Sequence, residues 1–230
     1  MLIRKLNSEY WDNIWKGNDY SKENLRKLKS QIKVDALFRL LVPQSSWKIL
    51  DFGCGPGYVA EEIYNRIKSK IICIDSSSVA INVAQERLNT LPIDFVYSDV
   101  CSTDLPSNSF DLAICCGVIE HVKNRNDFLQ EIYRLLKPNA YLFVSSSNLY
   151  SFIWPQRLIK QLFHVWPFGY QVNIPLKLLN KLIIRNGFSV ISNEVINDIG
   201  DYKILGRLDN ILSKIYKYFG RYIILVGEKQ

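Results

Sequence analysis

The sequence has few of the side chains that bind metal ions. Its only histidines are His121 and His164, and none of its five cysteines belongs to a Cys-x-x-Cys pair. Structural and catalytic zinc sites need Cys or His ligands at short, regular spacings. The sequence therefore predicts no metal site. Four of the five cysteines lie in or beside apolar strand patterns, where cysteine acts as a small buried hydrophobic residue. We expect reduced thiols and a cytoplasmic location.

Segments for export or for crossing a membrane are also missing. The first five residues do not begin an apolar signal peptide, and no uncharged run of about 18 residues occurs. Arg-Gly-rich tracts, poly-Lys tracts, internal repeats and linkers are absent as well. We therefore expect a soluble intracellular protein whose residues 1–230 form one domain.

Positive charge exceeds negative charge, with 29 Lys and Arg against 22 Asp and Glu and a net charge of +7. Such a balance suits a nucleic acid, an anionic membrane surface or an acidic substrate. The basic residues are spread along the chain, with local densities at 22–33 and 203–221. We therefore favour an ordinary solvated surface. A nucleic-acid partner is not expected, and peripheral contact with a membrane stays open.

Strand and helix patterns alternate from residue 47 onward. Apolar strands are predicted at 47–52, 70–74, 94–97, 110–116, 140–145, 188–195 and 222–226. Helical patterns lie between them, and the fourth strand is apolar almost throughout, as expected for a strand buried on both faces. Repeated units of this length predict an α/β fold with a parallel sheet and right-handed crossovers.

Two further segments flank this pattern. Residues 1–44 read as a helical N-terminal cap, with an amphipathic helix from Lys22 to Leu41 that ends before Pro43. Residues 148–175 are rich in aromatic residues and proline and predict an inserted helix with a loop. These aromatic residues either pack on the sheet as core or form a lid over a binding pocket, and we expect the lid.

The first strand runs into a glycine-rich turn, Gly53-Cys54-Gly55-Pro56-Gly57, and Asp75 ends the next strand. Glycines let the backbone pass close to a ligand, and an acid after the second strand can bind two ribose hydroxyls. The pattern therefore predicts a nucleotide-type cofactor site. Pyrophosphate cofactors prefer the wider spacing Gly-x-Gly-x-x-Gly, so an NAD-dependent dehydrogenase is a minor alternative.

Four segments resemble the class I S-adenosylmethionine-dependent methyltransferases in order and spacing: 49–57, 71–75, 97–100 and 110–122. Leu135-Leu136-Lys137-Pro138 and the helix, Gly-Phe and strand of 182–190 also match. The similarity covers about residues 45–195 and is closest to the small-molecule branch with the ubiquinone-biosynthesis enzymes. It implies a Rossmann-like, seven-stranded, mostly parallel sheet with helices on both faces and an antiparallel last strand.

This resemblance implies S-adenosylmethionine as cofactor and S-adenosylhomocysteine as product. Gly53 and Gly55 would face the methionine part, and Asp51 would orient the loop and the cofactor ammonium. Asp75 would accept from both ribose hydroxyls. Asp99 would accept from the adenine amino group. The remaining predicted cofactor contacts are Cys54, Gly57, Ser76, Val100, Cys116 and Gly117.

His121 follows the fourth strand and is the candidate general base for a hydroxyl or amine nucleophile. The alternative is a structural residue at a helix start. Related ubiquinone-type enzymes carry a second Glu three residues before Glu120, forming a metal site, and this chain has Gly117 there. Substrate contacts are predicted for Tyr10, Trp11, Trp15, Glu120, His121, Trp154 and His164.

The resemblance thus implies methyl transfer to O or N of a small, partly apolar or aromatic acceptor. One alternative is a lipid, quinone or RNA acceptor, although the chain has no Asn-Pro-Pro-Tyr motif. Another is a non-catalytic partner subunit with a methyltransferase-like fold, against which the retained glycines and Asp75 argue. Oligomeric state cannot be read from the sequence.

Overall fold

A seven-stranded sheet runs through the computed structural model, which describes residues 2–16, 23–163, 166, 171–197 and 203–230. The strands are β1 (Lys48–Phe52), β2 (Lys70–Asp75), β3 (Ile93–Tyr97), β4 (Phe110–Cys116), β5 (Leu136–Ser147), β6 (Phe188–Ile196) and β7 (Tyr222–Lys229). The helices in the described residues are α1 (Leu2–Lys16), α2 (Glu23–Leu40), α3 (Tyr58–Ile67), α4 (Ser78–Arg87), α5 (Arg125–Leu135), α6 (Ile153–Leu162), α7 (Leu176–Arg185) and α8 (Lys203–Ile215). None of the described helices combines the length and apolar character needed to span a bilayer.

The strand order is β3-β2-β1-β4-β5-β7-β6. The first five strands pair in parallel, and β7 inserts antiparallel between β5 and β6. The predicted mostly parallel sheet with an antiparallel last strand is therefore confirmed. Crossovers leave β1 and β4 in opposite directions across the sheet, which makes their junction the switch point where α/β folds bind ligands.

Helices cover both faces of the sheet. The central strands carry apolar residues at successive positions, so that side chains on both faces are buried. Leu50 and Phe52 point into the core beneath α5 and α7, whereas Ile49 points into the core beneath α2 and α3. Ile72 and Ile71 of β2 divide between the same two cores. Parallel strands buried on both faces need such continuous apolar runs.

The start of the fifth strand differs most from the sequence prediction. Helix α5 ends at Leu135, and β5 begins at Leu136 instead of at Ala140. Leu136 pairs with Phe110, and Pro138 falls in the register shift before the next pair. A proline there interrupts no ladder hydrogen bond, so it can stand inside a strand.

The predicted helical N-terminal segment is present as α1 and α2, and the insertion after β5 contains α6. Asp12 of α1 accepts hydrogen bonds from Ser77 Oγ (2.6 Å) and from the Val79 N–H (3.2 Å). This carboxylate holds α1 against the first turn of α4, where the free backbone N–H groups favour an acid.

The buried carboxylate of Asp209 in α8 similarly fixes the start of α6. It accepts from Ser151 Oγ at 2.8 Å and from the Phe152 N–H at 2.9 Å. Helices α1 and α6 are thus each anchored by one aspartate to an element far away in sequence. Both helices contribute residues to the cavity described next.

Candidate functional site

A cavity of about 580 Å³ opens at the carboxyl ends of β1, β2, β4 and β5. The strand register explains why these ends meet, since Phe52 pairs with both Ile74 and Cys115. Gly53, Asp75 and Cys116 therefore follow one another along a single sheet edge. The predicted residues that line the cavity are Trp11, Trp15, Gly53, Cys54, Asp75, Ser76, Val100, Cys116, Gly117, Glu120, His121 and Trp154.

The glycine-rich turn adopts backbone angles that other residues rarely take. Gly53 has φ of +64°, and a Cβ there would lie 2.5 Å from Val118 Cγ2. Gly55 has φ of +52°, and a Cβ would lie 3.0 Å from Trp15 Cζ2. The turn therefore needs glycine both for its conformation and for close packing. Gly57 is outside the cavity lining, because it caps α3 and packs against Leu88.

Asp75 is held ready to accept hydrogen bonds. Its Oδ2 accepts from the Gly55 N–H at 2.8 Å and its Oδ1 from the Ser77 N–H at 2.9 Å. Each oxygen keeps lone-pair capacity for a second donor. Burial raises the pKa of Asp75 to about 6, although the backbone donors act in the opposite direction.

Asp51 lies beneath the cavity and is not part of its lining. Its Oδ2 has no hydrogen-bond partner among the described residues. Burial, followed by repulsion from Asp75, raises the pKa of Asp51 to about 7, and the nearby Lys33 ammonium partly opposes this. A buried carboxylate without a full set of donors favours a bound cation.

Asp99 and Val100 are the neighbouring residues predicted at the adenine end of the cofactor site. Val100 lines the cavity, whereas Asp99 does not. The Asp99 carboxylate accepts from the Cys101 N–H at 2.9 Å, which shapes the turn that presents Val100. Direct contact of Asp99 with an adenine stays a prediction.

The end of β4 forms the middle of the cavity. Gly117 has φ of +77°, and its N–H donates to the Ser145 carbonyl at 2.8 Å. Burial raises the pKa of the neighbouring Cys116 thiol to about 12. Cys116 is therefore a neutral wall residue and no candidate nucleophile.

His121 lines the cavity beside the N-terminal helix. Its ring meets the ring of Trp11 edge-on, with centroids 5.0 Å apart. The His121 N–H donates to the Val118 carbonyl at 2.8 Å, which fixes the backbone of this loop. Tyr10 packs edge-on against Trp11 and lies outside the lining.

Glu120 is buried and serves the architecture of the site. Its carboxylate accepts from Ser146 Oγ and from the Ser147 N–H, each at 3.1 Å. Its backbone carbonyl accepts from the Val172 N–H at 2.9 Å. Glu120 therefore joins the end of β4 to the end of β5 and to the insertion.

Aromatic residues of the insertion form the far wall. Trp154 and Trp166 both line the cavity. Trp166 Nε1 donates to Gln171 Oε1 at 3.1 Å, and Gln171 Nε2 donates to Ser147 Oγ at 3.2 Å. The predicted contact residue His164 lies outside the described residues.

The sequence interpretation missed six cations that line the described part of the cavity: Arg26, Lys29, Lys33, Arg157, Lys160 and Arg221. A signal for part of this set is present. Arg26, Lys29, Ser30 and Lys33 fall at the i, i+3, i+4, i+7 spacing of one helix face. The sequence predicts a solvated surface for these basic residues, whereas the structure places this stripe along the cavity.

Comparison with known proteins gives one matching family description. Residues 50–144 match the family described as "Methyltransferase domain". These residues contain most of β1, all of β2 to β4 and most of β5, and with them the glycine-rich turn, Asp75 and His121.

Two curated relatives are both named as ubiquinone biosynthesis O-methyltransferases, and both match over 63% of this chain. "Ubiquinone biosynthesis O-methyltransferase, mitochondrial" of Schizosaccharomyces pombe is 30% identical, and the match covers 53% of its length. "Ubiquinone biosynthesis O-methyltransferase" of Pelagibacter ubique is 30% identical over 62% of its length. The chain thus spans little more than half of these relatives.

A solved structure shares the fold. Phosphoethanolamine N-methyltransferase 2 of Haemonchus contortus, solved with S-adenosyl-L-methionine, superimposes with a TM-score of 0.64 at 19% identity. The superposition covers 86% of this chain and 52% of that one.

Proposed function

We propose that this chain, whose residues 50–144 match a methyltransferase domain, is an S-adenosylmethionine-dependent methyltransferase that methylates an oxygen or nitrogen of a small, partly apolar or aromatic acceptor. One observation carries the proposal. The glycine-rich turn and Asp75 share a single cavity with His121 and the tryptophan wall. Donor and acceptor can therefore meet without leaving the protein.

The residues present fit the cofactor. Asp75 would offer one carboxylate oxygen to each ribose hydroxyl, and Gly53 and Cys54 of the glycine turn line the cavity where the methionine part would lie. Asp51 is a buried acid with an unpartnered oxygen at this end of the site, which suits the cofactor ammonium. Lys33 lies within Coulombic reach of Asp51 and Cys116 and suits the cofactor carboxylate.

When bound, S-adenosylmethionine supplies a methyl group on a positively charged sulfur, which leaves as a neutral thioether. The chain's own residues align the acceptor and exclude water from the transfer. His121 takes the proton that the hydroxyl or amine loses as its new bond to the methyl carbon forms. The proton then leaves His121 for solvent after product release.

The acceptor wall supports an aromatic or partly apolar ring. Trp154, Trp166 and Tyr222 offer flat apolar surface around polar groups of the β5 end, as ligand pockets commonly do. The printed names of the curated relatives support oxygen as the acceptor atom.

A lipid or quinone acceptor is the second candidate. One observation favours it, the exposure of Leu162 and Phe163 at the end of α6, at 68% and 74%. An exposed apolar helix end next to the acceptor wall could lie against a membrane surface. Binding to anionic liposomes that weakens with salt would support this candidate.

Two measurements test the main proposal. Calorimetric titration should give micromolar binding of both S-adenosylmethionine and S-adenosylhomocysteine. Radiolabelled methyl transfer to a panel of phenols, catechols, amines and quinols should then identify an acceptor class. Cofactor binding without turnover on any acceptor would favour the partner-subunit alternative. Absence of binding by folded protein would refute the proposal.

Variants of His121 separate a base from a packing residue. His121→Ala removes both the ring and its contact with Trp11, whereas His121→Phe keeps a ring at that contact. If His121 is the base, both should lower kcat by about a hundredfold with cofactor affinity unchanged. Full activity of His121→Phe would assign His121 a packing role.

A further inference from the structure

The described lining of the cavity carries an excess of positive charge that the cofactor does not explain. Among the described lining residues, the six cations named above stand against two acids, Asp75 and Glu120. Both acids are already hydrogen-bonded within the protein. S-adenosylmethionine carries one carboxylate against an ammonium and a sulfonium. Binding of a second, negatively charged ligand in this cavity is therefore electrostatically favourable.

Three of the cations lie on the acceptor side and form what we term the distal cation group: Arg157, Lys160 and Arg221. Arg157 and Lys160 are three residues apart on α6 and so share a helix face. Arg221 immediately precedes β7. Its carbonyl accepts from the Asn148 N–H at 3.0 Å, which holds its backbone beside the end of β5.

A series of contacts connects Arg157 on α6 with Arg221 beside β7. The Arg157 guanidinium lies 5.5 Å from the centre of the Trp166 ring. Trp166 donates a hydrogen bond to Gln171, and Gln171 donates one to Ser147, as described above. Ser147 pairs with Tyr222, the neighbour of Arg221. Arg157 and Arg221 are therefore connected through the end of β5, and Lys160 lines the same cavity from the helix that carries Arg157.

The Arg157 side chain is buried, with 7% of its surface exposed. Its planar donors match the oxygens of a phosphate or carboxylate in pairs. A buried arginine in a ligand-sized cavity is thus suited to recognising an anion.

We propose that the acceptor carries a phosphate or carboxylate group, and that the distal cation group binds it. This inference rests on the proposed function, since it assigns a feature of the same acceptor. The anion would be held at the end of β5 and in front of the tryptophan wall. Its aromatic or apolar part would then extend toward His121 and the donor.

The test uses small probes on the protein saturated with S-adenosylhomocysteine, whose own carboxylate then fills its place near α2. Phenyl phosphate, benzoate and the uncharged isostere benzamide are titrated at constant ionic strength, with tryptophan fluorescence as readout. At least one anion should bind ten times more tightly than benzamide. The preferred anion distinguishes phosphate from carboxylate recognition.

Two lysines provide matched variants. Lys160→Met should weaken binding of the preferred anion about fivefold, whereas Lys181→Met, on the exposed side of α7, should leave it unchanged. Arg157→Met should weaken it further, provided that circular dichroism shows a folded protein. Each variant is also titrated with S-adenosylhomocysteine, whose affinity should not change.

Equal affinity for benzamide and both anions, or no binding of any probe, would overturn the proposal. The same holds if Lys181→Met loses as much affinity as Lys160→Met. The titrations are repeated without S-adenosylhomocysteine. A failure of the proposed function would then appear in the cofactor titration, and a failure of anion recognition in the probe titration.

Discussion

Replacing Asp51 by Asn should make the protein's stability less sensitive to pH. Burial and repulsion from Asp75 raise the pKa of Asp51 from 3.8 to about 7 in the folded protein. A group with a raised folded pKa holds its proton more tightly when folded. Its contribution to stability is therefore present at low pH and is lost as the pH rises through the folded pKa.

The size of this effect follows from the interval between the two pKa values. Near pH 5 the folded state of both proteins has a neutral side chain at position 51, so the difference in their stability at pH 5 serves as the reference for higher pH. From pH 5 to pH 7 the wild-type protein loses about 1.4 kcal/mol per pH unit at this site, or about 3 kcal/mol in total. Asp51→Asn has no ionisable group at this position, so it does not lose this stability.

Urea unfolding without cofactor, at pH 5, 6, 7 and 8, measures this difference. We expect the free energy of unfolding of Asp51→Asn, relative to wild type, to rise by about 3 kcal/mol between pH 5 and pH 8. Asp94→Asn on the exposed face of β3 is the matched control and should not reproduce the trend. Parallel pH curves for wild type and Asp51→Asn would refute the reasoning.

Cofactor titrations give the same substitution a second readout. If the ionised Asp51 binds the cofactor ammonium, wild-type affinity should be about tenfold higher at pH 8 than at pH 6. Asp51→Asn should bind more weakly at pH 8 and lose the part of this dependence that Asp51 provides. Identical affinities in both proteins would separate Asp51 from cofactor binding.

Two other substitutions test the remaining anchors of the site. Asp75→Asn should lower cofactor affinity by about 2 kcal/mol, because a charge-assisted acceptor for the ribose is lost. Calorimetry measures this, and an unchanged affinity in folded protein would contradict the assignment. Asp12→Ala should destabilise the docking of α1 by about 1 kcal/mol, as for a lost helix cap. Faster amide exchange in α1 with unchanged exchange in β1 would support this, whereas uniform exchange rates would argue against it.

Local patterns in the sequence were sufficient to predict the half of the site proposed to bind the methyl donor. The glycine-rich turn, Asp75 and the end of β4 each follow an apolar strand, and parallel strands bring such ends to one edge of the sheet. The register of Phe52 with Ile74 and Cys115 confirms that expectation. Even so, Gly57 has a packing role that its place in the motif could not reveal.

Features that depend on distant partners could not be predicted in the same way. The anchoring of α1 by Asp12 and of α6 by Asp209 joins residues more than 50 positions apart. Neither aspartate belongs to a recognisable motif. The pairing energy becomes available only once the sheet has placed both elements.

The strand periodicity, the glycine turn and the ribose acid are local properties of the chain, and they defined the fold class and the donor site. The acceptor side depends on how α2, α6 and the start of β7 are placed around the end of β5. A lysine on an amphipathic helix has the same sequence signature whether it faces water or a cavity. Tertiary packing alone turned Lys33, Arg157, Lys160 and Arg221 toward the cavity.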